Sequence, residues 1–496
     1  MAASVELTGF TQRSNGKYSS APQWPLRAGY YTPARMPLNV VYPRPDGETN
    51  TYARHRWAHS GMEYQIPIGV QGGAWPFKYE IISAPAWLSI GQYHGDSNYG
   101  ILHGTPNTTG THSITVRVTG ADNVNYVDVQ FTVQSDIGSA ATVDAQFVFV
   151  QDGYAGTKVG TISQPLESIP DWWGASISDA TYHNKIIVFR GGEYAATMPP
   201  AENSGNMRLQ ASTKTCQLMA FPGEVAIWDL STAKIFDDST ASNDMYVAGI
   251  TFKNARNDVA NAHCFWLTGT SNRVTFWNNN FIDMLHGTLG DDNTGPIFIA
   301  TSATVKNYIF IQDNLCENVI NGGFNGTYFT LFRVSNFLIH NNTAKNCTTG
   351  TGINAKGTVA NGTIRANQLW DNVTGIQLGI GYGQEALEIP HDHEICWNNA
   401  KCPGNVIQFI NSNFYAGQTY NTYLYRNTLQ GASGTCQYAG IENFETDANI
   451  LNFGSYANWN ESIQTSVVAN IKTTAVSVAG ELTSALGFAT HGWRPY

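Results

Sequence analysis

Charge is scarce in this chain of 496 residues: Asp, Glu, Lys and Arg make up 13% of it, against roughly 25% in an average globular protein. Polarity is left to amides and hydroxyls, and with 48 glycines the composition suits strands and turns better than surface helices. Basic residues are the scarcer sign, 27 Lys and Arg against 37 Asp and Glu, for a net charge of −10. A phosphate backbone needs clustered cations to displace its counterions, so nucleic acid is not expected as a partner. Long apolar runs are missing too. No stretch reaches the ~18 residues of a spanning helix, and membrane insertion is not expected. The opening MAASVELTGFTQRSNGK lacks a basic-then-apolar segment, so no export signal is expected. Cysteine is sparse and odd in number: seven, at Cys216, Cys264, Cys316, Cys347, Cys396, Cys402 and Cys436. Such a dispersed set reads as reduced, mostly buried thiols, not as a disulfide framework.

What is present divides the chain into parts. Residues 1–60 are rich in Pro, Arg and Tyr (WPLRAGYYTPARMPLNVVYPRPDGETNTYARHRW) without strand or helix periodicity, and are expected to form an extended arm lying along another surface. Residues 61–136 alternate in short runs, YQIPIGV, FKYEIIS, WLSI, YGILHG, HSITVRVTG and YVDVQFTVQ, punctuated by Gly and Pro. That pattern predicts a small antiparallel sandwich. Its stretch from Gly100 to Val118 resembles the immunoglobulin-like module of bacterial and phage surface proteins.

From residue 143 to 455 one pattern repeats. VTFWNNNF, IFIQDNLC, FLIHNNTA, GTIRANQL, EICWNNAK and TYLYRNTL each place an apolar residue three positions before an Asn. The pairs read as Phe276 and Asn279, Ile311 and Asn314, Ile339 and Asn342, Ile364 and Asn367, Cys396 and Asn399, Leu424 and Asn427, a period of about 30 residues. A second series, PIFIA, YFTLF, TGINA, TGIQL, VIQFI and GIENF, lies between them. Two interleaved series are what a parallel β-helix requires, each coil pairing with the next at ~4.8 Å. Asn then has a place: at a corner it accepts a bent backbone, and its amide bonds the same Asn one coil on. Residues 456–496 are expected to cap the last coil.

This register predicts exposure. Trp277, Gln312, His340, Arg365, Trp397 and Tyr425, one place after the inward residue, should point outward, as should the more apolar column Thr275, Phe310, Leu338, Thr363, Ile395 and Tyr423. An outward apolar column needs covering, either by other subunits or by a saccharide, since Trp and Tyr stack on pyranoses while Arg and His bond hydroxyls or carboxylates. Trp277, His340, Arg365, Trp397, Tyr425, Gln377, Gln408 and Glu442 are therefore the candidate substrate contacts. Glycosidic cleavage usually needs two carboxyl groups. Asp283 and Glu317 follow successive ladder asparagines and are the candidate catalytic pair, with His286 and Asp292 nearby. The cluster GQEALEIPHDHEICWNN at 383–399 is a loop rich in Glu, His and Asp. Because the register points Cys396 into the core, no zinc site, and no cofactor, is expected there.

FVFVQDGYAGTKVGTISQPLESI at 147–169 resembles the entry segment of right-handed parallel β-helices, and the repeat region is similar to the pectin-lyase-like superfamily. The whole order of arm, small β-domain, β-helix and cap resembles a bacteriophage tail spike. The fold expected is thus all-β: a right-handed parallel β-helix preceded by a small immunoglobulin-like β-sandwich. The resemblance implies a spike that recognises, and in enzymatic members depolymerises as hydrolase or lyase, a host surface polysaccharide. It further implies a homotrimer joined to other virion proteins through the arm. Reduced thiols beside an amide-rich surface suit a virion component assembled in the cytoplasm and released by lysis. A non-enzymatic structural or decoration spike is the other reading.

Overall fold

The computed structural model describes residues 34–94, 96–136, 141–168, 184–195, 206–208, 217–230, 234–238, 243–254, 256–257, 263–269, 271–286, 295–300, 305–320, 327–347, 350–379, 391–410, 419–436, 442–447, 449–457, 466–468 and 471–473. Apart from a four-residue helix, Ala141–Asp144, and the 3-10 turn Arg54–Arg56, its regular elements are strands. The chain is a right-handed parallel β-helix carrying a small N-terminal β-sandwich. In the helix, twelve parallel strands make the first face, and a continuous nineteen-strand sheet folds around the second and third. Parallel strands need crossover connections of one hand, and here each crossover is the rest of a coil.

Strand residues alternate in and out, and the inward columns are apolar. On the first face Val148, Ile187, Leu218, Val247, Phe276, Ile311, Ile339, Ile364, Ile395 and Leu424 stand in register. The second face contributes Phe252, Phe281, Cys316, Ala344, Leu369, Ala400 and Leu429. All of these belong to one core cluster, and each large aliphatic so buried contributes about 1.5–3 kcal/mol.

The paired asparagines divide two tasks between them. In Asn278–Asn279 and Asn341–Asn342 the first residue takes the left-handed backbone, at φ 58° and 52°. The second is buried and carries the ladder. Expecting one Asn to do both was therefore incorrect. The ladder runs Asn279, Asn314, Asn342, Asn367, Asn398, Asn427 and Asn449, each Nδ2 donating to the next Oδ1 at 2.9–3.1 Å. The same Oδ1 accepts the backbone N–H of the preceding ladder residue, and Nδ2 also donates to a carbonyl of the coil before, as Asn367 does to Ile339 at 3.0 Å. Every polar atom of the buried amide is used, which is the condition for burying it at all.

One rung of the expected register is shifted by a residue. Ile364 pairs with Ile395, and Arg365 with Cys396, so Ile395 is the inward residue and Asn398, not Asn399, the ladder member. Cys396 points outward, though it too is buried. Cys264, Cys316, Cys347, Cys396 and Cys402 are buried and form no disulfide.

The sandwich has a four-stranded sheet, Trp57–Ala58, Lys78–Ser83, Gly110–Thr119 and Tyr126–Ser135, and a three-stranded one, Tyr64–Pro67, Ser89–Ile90 and Ile101–Gly104. Of the expected arm, residues 1–33 lie outside the described residues. Its later part is folded in: Asn39–Tyr42 pairs antiparallel with Gly69–Gln71, and Trp57–Ala58 joins the larger sheet. The surface it lies along is the chain's own first face, where Tyr42 stacks on Tyr246 and Phe310 at 5.9 and 5.7 Å. Parallel pairing also continues past residue 455, through Ser466–Val468 and Ile471–Thr473.

Candidate functional site

The outward side of the first face is not open. Phe149, Ile186, Val188, Met219, Tyr246, Trp277, Phe310, Leu338, Cys396, Trp397 and Tyr425 share a second core with the sandwich. This explains runs such as FVFV and IIVF, since a strand buried on both sides reads as continuously apolar. Trp277, His340, Arg365, Trp397 and Tyr425 are each at most 8% exposed. The expectation that these five face a saccharide is corrected: a domain of the same chain covers them. Trp75 meets His340 and Trp397 edge-on at 5.7 and 5.8 Å. Trp397 is not in the outward column at all but occupies the left-handed corner position, φ 59°.

A polar knot lies within this seam. Arg365 donates to the carbonyls of Val70 and Gly72 at 2.8 and 3.5 Å, with Trp75 and Phe77 against its guanidinium. Thr363 Oγ1 accepts the Gly72 N–H at 3.0 Å and donates to Glu394 Oε2 at 3.2 Å. Tyr425 donates to the other oxygen, Glu394 Oε1. Burial pushes the Glu394 carboxyl up to about 7, against the opposing pull of Arg365 and Thr363. The coil of Thr363 and Arg365 is thereby fixed to the segment 70–77 that leads into the sandwich strand Lys78–Ser83.

On the second face, Lys253, Ile282, Glu317, Lys345, Trp370 and Lys401 form the outward column, all half-buried. Glu317 lies opposite Ile282, not Asp283, and pairs with Lys345 at 3.0 Å. Asp283 belongs to the corner beside that column. There Asn254, Asp283, Asn318, Asn346 and Asp371 all take positive φ, 54–61°, and side-chain amides link neighbours, Asn318 to Asp283 at 2.9 Å and Asn346 to Asn318 at 3.1 Å. The proposed pair is thus divided between the outward column and a left-handed kink within a strand, and each carboxylate already has a partner. His286 ends the strand Asn280–His286; Asp292 lies outside the described residues.

On the third face, Gln377 and Gln408 are Cα partners in an outward column that also holds Trp266 and Phe298, these four being half-buried. Thr330 and Asn354 stand in the same column but are buried. Glu442 is not part of it. Its strand, Glu442–Asp447, pairs with Thr419–Tyr425 and so belongs to the Asn face, which corrects its assignment to the other series.

The side chains that sequence reasoning missed are Lys345, Trp370 and Lys401. Trp370 sits between the two lysines in consecutive coils, about 4.8 Å from each along the axis. The signal was faint, because Gln368–Trp370 is a three-residue strand that shows no alternation of its own. Among the described residues no three His, Cys, Asp or Glu converge as a metal site, and no helix is long and apolar enough to cross a membrane. Compared with protein-family models, curated proteins and solved structures, the chain matches none.

Proposed function

We propose that this chain is a virion spike of the bacteriophage tail-spike kind, binding a host surface polysaccharide along the side of its β-helix away from the sandwich. The observation that carries the reading is the register of Lys345, Trp370 and Lys401 on the second face. An indole flanked in register by two lysines suits a sugar polymer: the ring would stack on a pyranose, and the lysines would bond its hydroxyls or carboxylates, Lys345 while it also holds Glu317. Gln377 and Gln408 supply further amides on the adjoining third face. The segment before residue 34 would join other virion proteins, and a homotrimer is part of this reading. Its interface must lie away from the Trp277–Tyr425 column, which the sandwich covers.

The non-enzymatic form of the spike is favoured by one observation: Glu317 is engaged by Lys345 and Asp283 by Asn318. The test is to incubate the full chain with host capsule or lipopolysaccharide and measure both retention on the polymer and new reducing ends or unsaturated uronates. Retention that Trp370→Ala abolishes, with no new ends, is the expected result. Equal retention by Trp370→Ala would overturn the assignment of the face, and chain cleavage would restore an enzymatic spike. No retention at all would leave a decoration protein.

A further inference from the structure

At the base of the seam, the turn between Tyr42 and His55 crosses the coil that carries Asp244 and Tyr246 and closes over a small cavity. It is lined by Tyr42, Thr49, Arg54, His55 and Tyr246 together with Arg44 and the Arg273–Asp244 pair. The space admits little more than one water-sized species. The buried Tyr42, Tyr246 and Thr49 hydroxyl oxygens, Arg54 Nη2 and both His55 ring nitrogens have no hydrogen-bond partner. So many orphaned polar atoms around one cavity would be costly unless something there satisfied them.

We infer that this cavity is a binding site for one small monovalent anion of halide size, held by Arg54 Nη2 and the hydroxyls of Tyr42, Thr49 and Tyr246. Charge supports an anion over a water. Arg273 is matched bidentately by Asp244 at 2.6 and 3.1 Å, and Arg44 by Glu48. Arg54, 1% exposed, donates only to Met219 Sδ at 3.1 Å and the Trp57 carbonyl at 2.7 Å. A buried cation without a carboxylate calls for a counter-ion. His55 brings no second charge, because burial and then Arg56 and Arg54 push its pKa down to about 3. Burial likewise keeps the Tyr42 and Tyr246 phenols protonated, and so able to donate. Size excludes carboxylates, phosphate and sulfate.

The site is tested on the full chain by thermal unfolding in sodium chloride and sodium bromide against sodium gluconate at equal ionic strength. A crystal soaked in bromide then locates the ion by anomalous scattering. A saturable rise in Tm with the halides alone, and an anomalous peak beside Arg54 Nη2, are expected. Tyr246→Phe keeps the ring and removes one donor, so its halide midpoint should rise about tenfold or more; Arg54→Met should abolish the dependence. Equal Tm in halide and gluconate, no peak beside Arg54, or an unchanged midpoint in Tyr246→Phe would each overturn the proposal and leave a water in the cavity.

Discussion

Arg365 Nη2 donates to the Val70 carbonyl at 2.8 Å, joining β-helix and sandwich across 295 residues of chain. The bond lies in a seam from which water is excluded, with Glu394 two residue positions away on the next coil. Removing the guanidinium by Arg365→Ala strands two sandwich carbonyls and deprives Glu394 of the nearby cation. At about pH 8, where Glu394 is ionised in the intact seam, a loss of about 3–5 kcal/mol is expected in chemical denaturation. Part of it should return in the Arg365→Ala, Glu394→Gln double variant. A cost below about 1 kcal/mol would mean that the seam does not depend on this pair.

Two neighbouring residues should give opposing dependences on pH. The pKa of His393 is pushed down to about 3 by burial first and by His391 second. As pH falls below 6.5 the unfolded chain takes up a proton that the folded chain refuses, so stability falls with acidification. Glu394 has the opposite sign. With its pKa raised to about 7, the folded chain keeps a proton that the unfolded chain releases above about 4.5, and stability falls as pH rises through that window. Glu394→Gln removes only this second effect. Relative to wild type it should gain about 2 kcal/mol between about pH 5 and pH 7; parallel stability curves would refute a protonated Glu394.

The ladder register is decided by adjacent substitutions. The Asn398 side chain makes four buried hydrogen bonds, accepting two from Asn367 and donating one each to Asn427 and the Ile364 carbonyl. Each orphaned group costs about 1–3 kcal/mol, so Asn398→Ala should destabilise the chain by several times as much as Asn399→Ala. The reverse order, measured by thermal or urea unfolding, would move the ladder to Asn399.

Glu317→Gln and Asp283→Asn are expected to fold normally. The first removes a partly exposed ion pair, worth about 0–1 kcal/mol. The second keeps a side chain that tolerates the left-handed corner and still accepts from Asn318. Both variants should retain polymer binding, and loss of a polymer-cleaving activity in either would re-establish it as a catalytic carboxylate.

Much of the β-helix was legible because its inward columns and buried amides recur in sequence. Five of the six ladder positions read from the repeat hold the file together, from Asn279 to Asn427. The sixth slipped because EICWNNAK offers two apolar residues and two asparagines one place apart. Asn449 went unread because Thr446 occupies the place of the apolar residue opposite Leu424. The outward apolar column was legible as a surface needing cover. What covers it was not, since the contact of Phe310 with Tyr42, or of Trp397 with Trp75, is fixed only when distant segments dock. Trp370 and its lysines were hidden for a similar reason: their alignment exists between coils, not along any one of them.

Successive ladder asparagines are separated by 35, 28, 25, 31, 29 and 22 residues, yet the file of amides is unbroken. The axis is thus a ruler whose graduations do not depend on how much chain is wound between them. Segments away from the amide corner can be lengthened or exchanged without displacing a neighbouring rung, so loop-borne specificity can be grafted onto this rod while its scaffold stays in register.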